Sequence, residues 1–178
     1  MVGMEEPAVV VASSEGSLQI PLTFEEFFEA QRGRLFRALL LVTHDAAQAE
    51  DLMQESFVRV WERWDRLGRP SEDPVGYLFR TAMNVHRSAR RRAVVAARNV
   101  VRPTPRPDPF DDVVARDEVT RSLARLAPRQ RAAVVVMDLL GYTSQEASEI
   151  LGIRAGTVRT LTSQARATLL AGREPTDD

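Results

Sequence analysis

The sequence predicts an all-α fold of two small helical domains joined by a linker rich in proline and aspartate. Three observations carry this. Apolar residues recur at helical spacing on both sides of the linker, and helix-start and helix-stop residues bracket those runs. Between them, Pro103, Pro105, Pro107 and Pro109 alternate, which forbids both helix and ladder pairing. Aromatic residues make up only 6% of the 178, and β-branched alternation is scarce, which argues against a sheet protein. A chain of this length has room for one ordinary domain or two small helical ones.

The elements follow in order. Residues 1–22 lack a coherent period and are expected to be a disordered tail. Thr23 with Glu26 makes a capping box, and Phe24, Phe27, Phe28, Leu35, Leu39 and Val42 then form an apolar stripe. His44 and Asp45 break it. A second helix is expected from about Ala46 to Trp64, with Met53, Phe57, Val60, Trp61 and Trp64 as its core face. A turn-rich stretch, RLGRPSEDP, leads to a third helix from about Val75 to Arg92, with Tyr77, Leu78, Ala82 and Val85 inward. These helices make a first domain over residues 23–94, and residues 95–111 are the extended linker.

The second domain, residues 112–172, has the most specific punctuation. Pro128 fits a first helical turn, an apolar run continues to Leu140, and Gly141 stops it. Thr143 or Ser144 can cap a short helix holding Ala147 and Leu151. Gly152 makes the tight turn, Ile153 packs beneath it, and Val158 begins the inner face of the next helix. That spacing is a helix-turn-helix, whose second helix presents its N-terminal part to a DNA major groove. A plain helical hairpin is the blander alternative. Residues 173–178 are expected to be a short acidic tail.

Composition excludes several classes. There is no cysteine, so disulfides and thiolate metal sites are absent. His44 and His86 lie in different segments and read as helix-surface histidines; no metal or cofactor is expected. No nucleophile–base constellation or phosphate loop points to an enzyme, so no catalytic residue is assigned. The acidic start and short apolar run of MVGMEEPAVVVASSEG suit neither a signal peptide nor a membrane span, and a cytoplasmic protein without membrane insertion is expected. All 24 basic residues are arginine, and the net charge of −1 hides a segregation. Residues 77–107 hold eight arginines and no acid, whereas residues 108–118 hold Asp108, Asp111, Asp112, Asp117 and Glu118 against Arg116 alone. Separate surfaces for different partners follow from this.

Two helices of the first domain carry such surfaces. In AEDLMQESFVRVWERW, Glu50, Asp51, Gln54, Glu55 and Val58 lie off the core stripe. They are either merely solvated or a docking face for a basic partner. In YLFRTAMNVHRSARRR, Arg80, Asn84, Arg87, Arg90 and Arg91 project outward with Thr81 and Ser88 nearby. Arginines can track a phosphate backbone, Asn84 can bond a base edge, and the preceding turn can receive an unstacked base. A solvated basic face is the alternative.

Taken in order, the AEDLMQESFVRVWERW helix, the arginine-rich helix, the Pro/Asp linker and LAPRQRAAVVVMDLLGYTSQEASEILGIRAGTVR resemble a bacterial sigma factor of the extracytoplasmic-function (ECF) group, from about Phe24 to Leu170. The resemblance implies a σ2-like first domain that docks on core RNA polymerase, at the β′ clamp with further contact to β, through Asp51, Gln54, Glu55 and Val58. It implies that Tyr77, Arg80, Asn84, Arg87, Ser88, Arg90 and Arg91, with the turn from Arg66 to Pro74, bind the melted −10 element of promoter DNA. It implies a σ4-like second domain reading −35 DNA through Arg154, Thr157, Arg159, Thr160, Ser163 and Arg166, and an anti-sigma factor as a further partner. The sequence departs from the family pattern in two places. Arg154 stands where a small polar helix cap is usual, and Leu161–Thr162 replaces an Arg–Leu pair, so Leu161 is expected to take the inner-face position with a slight rotation of the helix. The alternative function is a helix-turn-helix regulator that works without polymerase; a degenerate homologue that sequesters another regulator is a third.

Overall fold

The computed structural model describes residues 23–67, 73–97 and 118–172, and all regular structure among them is helical. In the first domain α1 spans Phe24–Thr43, α2 Ala46–Trp61, the single turn α3 Trp64–Leu67 and α4 Pro74–Ala97. In the second, α5 spans Glu118–Ala124 and α6 Pro128–Val134, which runs on as a π-helical turn over Val135–Leu139. Then α7 spans Ser144–Leu151 and α8 Ala155–Ala171. The expected tails, residues 98–111 of the expected linker and most of the turn from Arg66 to Pro74 lie outside the described residues, whereas residues 95–97, expected to open the linker, continue α4 as helix.

Local chemistry sets the helix ends. The Thr23 hydroxyl accepts from the Glu26 amide while the Glu26 carboxylate accepts from the Thr23 amide, closing the capping box at the start of α1. His44 ends that helix in the left-handed region (φ 57°), and Asp45 at once caps α2 by accepting from the Gln48 amide at 2.8 Å. Asp73 does the same for α4 through the Gly76 amide. Each such cap contributes about 1 kcal/mol. In the second domain, Thr143 and Glu146 form the capping box of α7, and Gly152 (φ 60°) closes it in a conformation that L side chains avoid.

The first core gathers Phe27, Leu35, Leu39, Leu52, Phe57, Val60, Leu78, Phe79 and Met83, each 4% exposed or less. Phe24, Phe27, Phe28, Phe57 and Trp64 form one aromatic cluster with ring centroids 4.7–6.5 Å apart. The second core is smaller and aliphatic: Val134, Val135, Val136, Ala147, Ile150, Val158 and Ala165. The two domains lie against each other, α4 on α7 and α1 on α6 and the π turn.

Three expectations are corrected. Trp61 does not join the core; it is 62% exposed. Its wheel position falls between the core stripe and the outer stripe, α2 ends there, and Trp64 on the next turn takes the place beside Phe24 and Phe27. His86 is not a surface histidine but is buried at 7% exposure. Burial first, then the charges of Arg90 and Arg131, push its pKa down to about 4. Leu161 does not displace Thr162. Thr162 is buried between Val158 and Ala165 in sequence, and its hydroxyl bonds the Met137 sulfur at 3.3 Å, so the inner face keeps its register without rotation.

Candidate polymerase and nucleic-acid interfaces

The outer face of α2 is acidic at its start and apolar at its end. Asp51, Gln54 and Val58 are exposed and Glu55 is half-buried. Helical spacing of three and four puts Asp51, Gln54, Val58 and Trp61 on one stripe. Val58 at 55% and Trp61 at 62% exposure make an unusual apolar step on a small domain. Glu55 is paired with Arg59 at 2.5 Å and Gln54 donates to Glu50, whereas Asp51 has no ion pair among the described residues. A groove between the start of α2 and the far end of α4 is lined by Asp45, Gln48, Asp51, Glu55 and Arg92. This surface offers negative charge beside an apolar ledge. Trp61 was the residue that periodicity misplaced, because it lies on the border between the two stripes and spacing alone does not assign its side.

The face of α4 behaves differently. Tyr77 and Ser88 are half-buried, while Arg80, Asn84, Arg87, Arg90 and Arg91 are exposed. Arg87 donates to the Asn84 side-chain oxygen, which fixes the two together, and Arg91 donates to the Ser88 hydroxyl at 3.3 Å. Two of these arginines reach across to the second domain. Arg80 pairs with Glu149 at 3.3 Å, and Arg87 donates to the Leu151 carbonyl at 2.5 Å. A Cβ on Gly152 would stand 2.8 Å from the Arg87 guanidinium, the flexible end of a side chain that can shift, so it is the positive φ that calls for glycine here.

The second helix of the helix-turn-helix, α8, turns Arg154, Thr157, Arg159, Thr160, Ser163 and Arg166 outward, all exposed. Arg154 occupies the N-cap and makes no side-chain cap bond, so the first amides of α8 keep free donors. Such amides, at the positive end of the helix dipole, suit a phosphate. Thr160 bonds back to the Gly156 carbonyl at 3.1 Å. Arg166 is held by both oxygens of Asp138 on the π turn, at 3.0 and 2.5 Å. The tie aims Arg166 and also offsets its charge, so it is the weakest of the six as a phosphate contact.

Among the described residues no group of three or more His, Cys, Asp or Glu gathers as a metal site. No helix among them is long and apolar enough to cross a membrane.

A helix-turn-helix domain beside an arginine-faced helical domain with a separate acidic-apolar ledge defines a nucleic-acid-binding protein with a protein partner. Comparison with known proteins narrows this class. Family models described as sigma-70 region 2 and sigma-70 region 4 match residues 27–95 and 116–169. The ECF RNA polymerase sigma factor SigL of Mycobacterium tuberculosis (strain ATCC 25618 / H37Rv) is 33% identical over 132 residues, spanning 70% of this chain and 74% of SigL. The RNA polymerase sigma-E factor of Streptomyces avermitilis is 29% identical over 164 residues, 88% of each chain. The fold is similar to that of the sigma factor RpoE of Bartonella quintana, solved with the anti-sigma factor NepR. The TM-score is 0.66 at 21% identity, covering 85% of this chain and 98% of RpoE. The chain belongs to the extracytoplasmic-function RNA polymerase sigma factors. It acts as an initiation factor that directs RNA polymerase to promoters.

Proposed function

We propose that the α2 ledge docks this chain on the clamp of the polymerase β′ subunit, with Asp51, Gln54, Glu55, Val58 and Trp61 in contact. Further contacts run to β. The basic residues of the partner meet the acidic start of α2, and an apolar side chain covers Val58 and Trp61. Arg80, Asn84, Arg87, Arg90 and Arg91, with Tyr77 and Ser88, hold the melted −10 strand. Phosphate contacts supply affinity there, and Asn84 supplies a base-edge bond. Capture of unpaired bases is what stabilises an open duplex, since bases leave the stack only when the protein offers them stacking or hydrogen bonds. On α8, Arg154, Thr157, Arg159, Thr160 and Ser163 read the −35 duplex from the major groove, with Arg166 at the edge.

The single observation that carries this reading is the division of labour on one domain. The acidic-apolar stripe of α2 and the arginine face of α4 are distinct surfaces built on the same aromatic core. The work is done in the cytoplasm without a cofactor, and an anti-sigma factor restrains the chain by covering these faces. Such a partner is supported by the fold shared with RpoE, which was solved with its anti-sigma factor.

The test is assembly with bacterial core RNA polymerase followed by transcription from a genomic fragment library. Stable binding with promoter-selective transcripts is expected. A complex whose affinity ignores charge reversal at Asp51 and Glu55 sinks the docking assignment.

A further inference from the structure

Beyond α6 the helix widens into the π turn over Val135–Leu139. There the Leu140 amide donates to the Val135 carbonyl at 3.0 Å, a bond that reaches back five residues instead of four. Two consecutive side chains of this turn reach α8. The Met137 sulfur accepts from the Thr162 hydroxyl at 3.3 Å, and Asp138 holds Arg166. The Asp138 grip is bidentate: Arg166 Nε donates to Oδ2 at 3.0 Å and Nη2 to Oδ1 at 2.5 Å. Such a fork-on-fork pair fixes the guanidinium in direction as well as in charge. The ion pairs on α1 and α2 join neighbours along one helix, whereas this one joins two elements across 28 residues of sequence. It also falls on a sparse set of cations. Arg154, Arg159 and Arg166 are the three basic residues of α8 and its N-cap, and α8 carries no acid of its own. Arg154 and Arg159 have no ion pair among the described residues, and Arg159 makes a long 3.4 Å bond to Ser144. Arg166 alone of the three is neutralised, by a carboxylate that the π turn supplies.

We propose that Asp138 restrains the hold of the second domain on duplex DNA: by occupying the Arg166 guanidinium it withholds one of these cations from the phosphate backbone, at every sequence alike. The inference rests on the reading of α8 as the duplex-facing helix. A cation that meets a phosphate releases a condensed counterion, so each such contact steepens the fall of affinity with salt by about 0.9 on logarithmic axes. Contacts of this kind carry no base information. A guanidinium already held by both oxygens of a carboxylate gains little by exchanging that anion for a phosphate, so Arg166 stays out of the count while Asp138 is charged. Asp138 touches no DNA in this account; it is a positioning residue that acts through Arg166. Base reading by the N-terminal half of α8 is left in place, while charge-driven holding at random sequence is reduced. Because non-specific sites compete with promoters in great excess, a weaker hold on them leaves more of the chain free.

The test titrates the full chain with a random-sequence duplex pool from about 50 to 200 mM salt. Asp138→Asn keeps the shape of the side chain and removes its charge. It is expected to tighten binding about threefold or more at the low end and to steepen the salt dependence by roughly one counterion. Arg166→Ala in the otherwise unchanged chain is expected to leave affinity and slope nearly fixed, because the cation it removes is already withheld. Arg166→Ala added to Asp138→Asn is expected to abolish the gain, which a merely loosened fold does not do. If the gain survives in the double variant, Asp138 acts by its own charge and the proposal fails. An unchanged slope in Asp138→Asn overturns it, and so does a slope that Arg166→Ala flattens while Asp138 is present. Should Asp138→Asn melt early, Arg166→Ala alone still decides. The reading of α8 is judged separately by Arg154→Ala with Arg159→Ala, which is expected to flatten the salt dependence by roughly two counterions. If those two changes leave duplex binding untouched, or no variant binds duplex at the lowest salt, that reading fails on its own.

Discussion

Two arginine-bearing helices, α4 and α8, which we propose as the nucleic-acid surfaces, differ in how their arginines are engaged. On α4, Arg80 and Arg87 are turned toward the second domain and bonded to it. On α8, Arg154, Thr157, Arg159 and Ser163 face outward, and the nearest tie on Arg159 is a long 3.4 Å bond to Ser144 in the same domain. Two exposed arginines of one helix are thus engaged by the other domain, and those named on the other helix are not. The difference teaches that residue type and helical face do not make a surface usable; the packing partner decides.

Several changes break or sharpen this contrast, beginning with the largest effect. Asp51→Arg with Glu55→Arg is expected to abolish polymerase binding, read by competition with an unlabelled sigma factor, while the helical circular dichroism stays unchanged. That loss removes both helices from the promoter equally, which makes it the reference for losses particular to one. Arg87→Ala with Arg91→Ala follows. It is expected to lower open-complex formation about tenfold or more while core binding changes little, since each loses charge-assisted contacts of roughly 1–3 kcal/mol to the strand. Equal losses in the two assays count against the α4 assignment.

The two tryptophans at the end of the α2 segment offer a cleaner pair. Trp64→Ala removes a ring from the aromatic core and is expected to cost about 3 kcal/mol of stability in urea unfolding. Trp61→Ala is expected to leave the unfolding midpoint nearly fixed and to weaken polymerase binding by roughly 1–2 kcal/mol, as for an exposed interface aromatic. A Trp61 variant that melts early instead returns that side chain to the core.

Acidification acts on the contact between domains. His86 is held at a pKa of about 4, below the ordinary 6.5, by burial first and then by Arg90 on its own helix and Arg131 on α6. Its unfolded form binds the proton more readily, so the folded state keeps its full stability above pH 6.5 and loses it as pH falls toward 4. The loss is on the order of 3 kcal/mol once the drop is complete. His44 shifts in the same direction for the same leading reason, burial. Urea midpoints recorded from pH 7.5 to 4.5 check this, and His86→Asn is expected to flatten the slope. The smallest expected effect is at Arg154→Ser, which gives α8 the missing cap and about 1 kcal/mol of stability. A gain in thermal stability together with weaker duplex binding identifies Arg154 as a phosphate contact kept at the expense of a cap.

Much of the fold was legible because its signals are local. Thr23 with Glu26, Pro128, Thr143 and Gly152 each act on backbone groups within four residues, so their roles follow from sequence spacing alone, while Asp45, read only as a breaker, proves also to cap α2. The outward positions on α4 were legible for the same reason, since a helix fixes which residues share a face, whereas those on α8 came from the family resemblance. Trp61 was not, because it lies on the border between two stripes and only the end of α2 and the seating of Trp64 determine its side. Nor was the π turn over Val135–Leu139, whose apolar run reads as ordinary helix. His86 and Thr162 were misjudged because polar residues are normally exposed, and burial depends on what a distant element covers.

By itself the sequence determined the helices, their caps, the helix-turn-helix and the separation of charge between α2 and α4, all set by contacts a few residues apart. Tertiary structure alone decided which of those arginines are free. Arg34, Arg87 and Arg131 find their carbonyls 106, 64 and 89 residues away. No periodicity encodes a hydrogen bond at such separation. It exists only because two small cores, each folded on local rules, present helix ends and guanidinium groups of opposite polarity to one another.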